Sequence, residues 1–278
     1  MRTVRAMKAK QRTACGGGKS WFCLGVEVVK ILAKDGAPGN LVSYYPSTAR
    51  GDVLRSRSVG AVVLQRTLDI PAPPARLLAD WERETSQQLR LESGDVESLP
   101  LPRARLRWPE YKACVRAMSE WTATLAPGLG DVLADAEVAL MTCRGARYHH
   151  DGAQYGGAAF CNLFLSEDKG LDLHFPGTGQ RIPLVRGTAV VFDTGQPHAV
   201  IDRCSSGFSV DDFPAKRDCG LVFLTWELPA ENHAVASALG IAFDVEPALA
   251  LRAEAAQLRV NGKSAEVCAA SGRWIAAD

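Results

Sequence analysis

The chain has 278 residues, 47% of them hydrophobic, which is enough to bury one full core, so a single domain with an accessory lobe is the simplest organisation. Its 32 basic and 31 acidic side chains leave a formal net charge of +1, and no global field draws it to nucleic acid or an anionic membrane. There is no run of eighteen apolar residues, no apolar leader with a small-residue cleavage site, and no C-x-x-C pair among eight scattered cysteines; a cytoplasmic protein with reduced thiols is expected.

Residues 1–20 read as a flexible basic tail, since six of the first nineteen are Arg or Lys and they lie beside Gly16, Gly17 and Gly18. Gly16-Gly-Gly-Lys-Ser20 is not a phosphate-binding loop: Thr13 stands where the first glycine of G-x-x-x-x-G-K-S belongs, and no apolar strand precedes it. Residues 21–133 are expected to form an N-terminal lobe of a strand and helices. Within it Trp21 to Leu32 is apolar and suits helix or strand, and Val59 to Leu64 reads as a strand running into the rigid turn Asp69-Ile-Pro-Ala-Pro-Pro74. A helix should start near Pro74, with Leu77, Leu78, Trp81, Leu89 and Leu91 at helical spacing, and end at Gly94. Leu99 to Arg107 is Pro-rich and basic and reads as a connection. Pro109 then opens a second helix with Tyr111, Val115, Met118, Trp121 and Leu125, which Pro127-Gly128 closes. Trp81, Tyr111 and Trp121 take core positions; Trp108 is open to a role as an exposed lid.

From 134 to 228 the texture changes to short Val-, Leu-, Phe- and Thr-rich runs broken by Gly, Asp and Pro about every ten residues, a β signature. Residues 229–278 return to Ala-rich helical texture, with His233 at a helix start and a type I′ hairpin turn at Val260-Asn261-Gly262-Lys263.

The informative segment is Tyr148-His149-His150-Asp151, followed forty-seven residues after the aspartate by Gln196-Pro197-His198. Side chains two apart on a strand share a face, so His149 and Asp151 reach one ion together while His150 points away. With His198 from a neighbouring strand they supply two imidazoles and one carboxylate to one side of an octahedron, leaving the other side open. Zinc accepts such ligands too, so the set alone does not name the metal. His174 either lines the pocket or faces solvent.

From His149 to Trp226 the chain resembles the 2-oxoglutarate and Fe(II)-dependent oxygenase superfamily, with prolyl-hydroxylase-like members most similar. The resemblance spans about eighty residues and rests on H-x-D, the P-x-x-x-G turn from Pro183 to Gly187 entering an apolar strand, the histidine of Pro197-His-Ala-Val200, and a late basic residue. It implies an α+β fold, mainly β, built on a double-stranded β-helix of jelly-roll type. It also implies Fe(II), 2-oxoglutarate and O2 as cofactor and cosubstrates, with His149, Asp151 and His198 as metal ligands. In the family a basic residue at the start of the last barrel strand pairs with the distal carboxylate of 2-oxoglutarate. Arg217 is the choice, in phase with Cys219, Leu221 and Phe223; Arg203 and Lys216 are alternatives. The nineteen residues from His198 to Arg217 exceed the family gap of about ten, and the excess, Cys204 to Phe213, is expected as a loop near the site mouth. Asn162 matches a position that touches 2-oxoglutarate. The implied activity is oxidation of an unactivated C–H bond in a small molecule such as an amino acid, with release of succinate and CO2. A protein hydroxylase of the prolyl type and a cupin-like isomerase or non-catalytic barrel are the alternatives.

Overall fold

The computed structural model describes residues 40–47, 53–85 and 91–276; the basic tail and the apolar stretch 21–32 lie outside the described residues. In chain order the first elements are β1 (Leu41–Pro46), β2 (Leu54–Ser58), β3 (Val63–Thr67), α1 (Ala75–Arg83), β4 (Val96–Leu99), α2 (Leu101–Arg107), α3 (Tyr111–Ala123) and α4 (Leu129–Asp135). The β region follows as β5 (Val138–Cys143), β6 (Ala146–His149), β7 (Ala158–Phe164), β8 (Leu171–Phe175), β9 (Gln180–Pro183), β10 (Thr188–Asp193), β11 (His198–Asp202) and β12 (Leu221–Pro229). The chain closes with α5 (His233–Leu239), α6 (Pro247–Ala250), β13 (Gln257–Val260), β14 (Lys263–Val267) and β15 (Trp274–Ala276).

Three antiparallel sheets result: a six-stranded one in the order β3-β10-β7-β12-β5-β4, a four-stranded one β6-β11-β8-β9, and a peripheral one β15-β14-β13-β1-β2. The central strands of the six-stranded sheet are largely buried, and alternation along them sorts their side chains between two cores. On β7, Cys161 and Leu163 join the helix-side core with Trp81, Trp108, Met118 and Trp121. Phe164 on β7, Val190 and Phe192 on β10 and Phe223 on β12 instead meet Leu173 and Phe175 of the four-stranded sheet, so the two sheets face one another across a second apolar core. The P-x-x-x-G turn explains itself here: Gly187 has φ +87°, and a Cβ would lie 2.0 Å from the Leu68 carbonyl oxygen.

Several expectations change. The first helix ends at Arg83 rather than Gly94, and the segment 99–107 is not a connection: it holds the end of β4 and the helix α2. Prolines at the start of α2 fall where helices tolerate them, which is why a Pro-rich stretch is helical. Trp108 is no lid; at 1% exposure it packs edge-on to Trp81 and Tyr111, with ring centroids 6.2 and 6.0 Å away. In the C-terminal hairpin, Val260 pairs with Lys263 across Asn261 and Gly262, both with positive φ, as the turn sequence requires. Among the described residues, cysteines 114, 143, 161, 219 and 268 are free thiols. Among the described residues no helix is long and apolar enough to cross a membrane.

Candidate metal centre

His149 is the last residue of β6 and His198 the first of β11, and the antiparallel register sets them directly opposite each other, with ring centroids 4.5 Å apart. Asp151 lies just past β6, where its backbone N–H donates to the Thr194 carbonyl at 2.9 Å and so extends the pairing into the turn before His198. Its carboxylate oxygens come within 3.7 Å of His149 Nε2 and 3.5 Å of His198 Nε2. One ligand atom from each of the three residues fits within a span of 4.8 Å.

Backbone carbonyls decide which ring nitrogens face this point. His149 Nδ1 is 2.7 Å from the Arg147 carbonyl oxygen and His198 Nδ1 is 3.0 Å from that of Gln196. A carbonyl only accepts, so each Nδ1 is the donor and each Nε2 is the ring nitrogen turned toward Asp151. Burial, with His149 alongside, pushes the His198 pKa down to about 3, so its imidazole is neutral across the physiological range. Burial also raises the Asp151 carboxyl above its usual range, against the opposing pull of His149 and His150. Two imidazoles with Nε2 turned inward and a desolvated carboxylate aimed at one point form a donor set that a divalent cation completes.

The alternation argument also disposes of the other histidines. His150 turns to the opposite face, 5.5 Å from the Trp274 ring, with its Nδ1 buried and unpartnered. His174 sits on the outer face of β8, its Nδ1 2.5 Å from the Tyr148 hydroxyl, and does not line the pocket. His233 opens α5 behind the N-cap Asn232.

The late basic residues are not brought to the triad. Arg217 lies in a turn before β12, its N–H bonded to the Pro214 carbonyl, so strand phase does not govern its side chain, although Cys219, Leu221 and Phe223 do enter the inner core. Its guanidinium donates to Asp202 at 2.5 Å and to the carbonyls of Asp212 and Lys169 at 3.0 and 3.1 Å. Asp202 ends β11, four residues from His198, roughly 13 Å at the rise of a strand. Arg203 pairs with Asp168 and Asp172, and Lys216 is exposed next to Arg217. The inserted segment belongs to this same far end: Phe213 is buried in the inner core against Gly145, just before β6, and Phe208 stacks on it at 5.4 Å. Phe213 thus fills the inner core beside Gly145, whereas Phe208 also packs on the cluster of Tyr148, Ala199 and Ile201.

Asn162 does face the space between the sheets. It is 7% exposed, stands opposite Val190 and Thr225, and its Oδ1 has no hydrogen-bond partner among the described residues. Three neighbours of the centre escaped the sequence: Tyr155, Phe160 and Glu227. The alternation of Phe223-Leu-Thr-Trp-Glu227 carried a signal for the last, because Trp226 and Leu228 lie in the helix-side core and their intervening residue must point inward.

No protein-family model matches this chain, and no curated protein does. Among solved structures it is similar to a prolyl-4-hydroxylase from Pseudomonas putida, at 19% identity and a TM-score of 0.37 over 60% of this chain and 92% of that one. It is also similar to EvdO2 from Micromonospora carbonacea var. aurantiaca, at 14% identity and a TM-score of 0.34 over 62% and 88%. A third is SnoN, described as a non-heme alpha ketoglutarate dependent epimerase from nogalamycin biosynthesis, at 11% identity and a TM-score of 0.33 over 60% and 78%. TM-scores of this size carry no weight beside the geometry of the three side chains.

Proposed function

We propose that this chain is a mononuclear non-haem Fe(II) oxygenase that uses 2-oxoglutarate as cosubstrate, and that its two facing sheets are a double-stranded β-helix. The observation that carries the proposal is the convergence of His149 Nε2, Asp151 and His198 Nε2 within 4.8 Å, all from one side. Zinc sites commonly add a fourth donor or a single open position, whereas three donors on one face suit an ion that takes cosubstrate and O2 together. Bound there, Fe(II) supplies the activation of O2 that couples decarboxylation of 2-oxoglutarate to oxidation of a C–H bond.

The chain's own groups set that reactivity in place. The Arg147 and Gln196 carbonyls hold the two imidazoles in one tautomer and one orientation. Phe175 and Phe192, with centroids 6.0 and 4.9 Å from the His198 ring, exclude water from its inner side. The three basic residues considered for the second carboxylate of 2-oxoglutarate lie around the far end of β11, so the cosubstrate is assigned from the motif resemblance and the open side of the triad. We extend the proposal to oxidation of a C–H bond in a small molecule, because the formal net charge of +1 offers no field for a nucleic-acid or membrane partner.

The test is succinate formation from 2-oxoglutarate by the purified protein with Fe(II) in air. Succinate should form only with both iron and O2 and should vanish in Asp151→Ala. No succinate from the iron-loaded protein, or equal amounts from the variant, overturns the proposal and favours a non-oxidative barrel.

A further inference from the structure

The wall facing the triad is acidic and aromatic. On β7 and β12, Phe160 stands opposite Glu227 and Asn162 opposite Thr225, a two-by-two patch on the inner face of the six-stranded sheet. Phe160 meets Phe192 edge-on at 6.1 Å, and Phe192 meets the His198 ring at 4.9 Å, which ties the patch to the metal centre. Tyr155 is one turn beyond Asp151, its N–H donating to the Asp151 carbonyl at 2.7 Å, and its ring leans on Phe160 at 5.1 Å.

The charges in this patch are of one sign. Glu227 is exposed, and Glu137 lies beside it at the start of the adjacent strand β5. Partial desolvation of its carboxyl by the sheet and the Glu137 charge both raise Glu227 above its usual range, and among the described residues no basic side chain forms an ion pair with either glutamate. Like charges on neighbouring strands cost stability. Two residues along β7, the buried Asn162 Oδ1 is an acceptor with no donor among the described residues. The patch thus presents unfilled acceptors and two ring faces, and the ligand that complements it carries N–H donors and positive charge.

We infer that this patch binds a cationic nitrogen of the substrate, an ammonium or guanidinium group, with Glu227 as its anchoring carboxylate, Phe160 and Tyr155 as ring faces, and Asn162 Oδ1 as a further acceptor. The substrate class is therefore an amine or basic amino acid. Asn162 moves from the cosubstrate, where the resemblance placed it, to the substrate. The inference takes the oxidation step from the proposed function: substrate C–H, O2 and 2-oxoglutarate give substrate C–OH, succinate and CO2. Cation binding itself does not depend on that step.

Calorimetric titration of the full chain with cadaverine, agmatine and the neutral 1,5-pentanediol tests this, without metal and after anaerobic loading with Fe(II) and 2-oxoglutarate. Both cations should bind at least about tenfold more tightly than the diol, and Glu227→Gln should remove that preference while leaving iron uptake unchanged. Equal binding of diamine and diol, or a cadaverine affinity that Glu227→Gln does not alter, overturns the inference. Failure to take up iron counts instead against the proposed metal centre, and the metal-free titration still decides the cation question.

Discussion

Without a cation, Asp151 and His198 are displaced from their ordinary titration ranges in opposite directions. The His198 pKa falls from 6.5 to about 3 through burial, so the unfolded chain takes up a proton there that the folded chain refuses. The stability of the metal-free protein should therefore decline as pH falls from about 6.5 toward 3. Urea midpoints measured across that range check this; a His198→Gln variant should show a flatter profile, and an unchanged slope would refute the role given to His198. The triad was legible in sequence because strand alternation assigns faces without knowledge of the fold. Arg217 was not, because a turn residue obeys no such alternation and its guanidinium found Asp202.

At the scale of elements, the metal loop is held by a tether that no sequence motif announces. Arg57 on β2 and Asp193 at the end of β10 form a two-point ion pair, 2.5 and 3.0 Å, with both side chains fully buried. Arg57 Nε also donates to the Gly156 carbonyl at 2.6 Å, and Asp193 accepts from the N–H groups of Gly60 and Gly195. Asp193 opens the turn to His198, and Gly156 lies in the turn after Asp151, so this pair fixes both halves of the site. Arg57→Met leaves a buried carboxylate without its cation and should cost about 3–5 kcal/mol in chemical denaturation. Metal affinity should fall with it; a loss below about 1 kcal/mol would show that the tether is not structural. The strands β5 to β12 were readable from apolar runs and turn residues, whereas β4, α2 and α4 were not: α2 and α4 are seven residues each, too short to display a helical period.

Over the whole molecule, segments expected to form separate lobes share structure. β1 from the N-terminal side pairs with β13 from the C-terminal side, joining their hairpins in one sheet, and β3 and β4 extend the main sheet. Long-range pairing of this kind leaves no local trace in sequence, which explains why only local features of the last fifty residues were foreseen, the helix start at His233 and the hairpin turn. Its consequence reaches the centre, since Leu258 on β13 is 2% exposed and packs so closely on Gly152 that a Cβ there would lie 2.1 Å from its Cδ1. Leu258→Ala should cost about 2–5 kcal/mol and loosen the Asp151 turn, read as a lower thermal midpoint together with weaker metal binding. Weaker folding with undiminished metal affinity would show that β13 does not brace the site.

The central claim is that three side chains hold one iron with room left for a chelating cosubstrate. Anaerobic titration with Fe(II) followed by 2-oxoglutarate tests it most directly. One iron per chain should bind, a weak visible charge-transfer band should appear when 2-oxoglutarate is added, and Asp151→Ala should lose both. Iron uptake and band of equal strength in that variant, or neither in the unaltered protein, would contradict it.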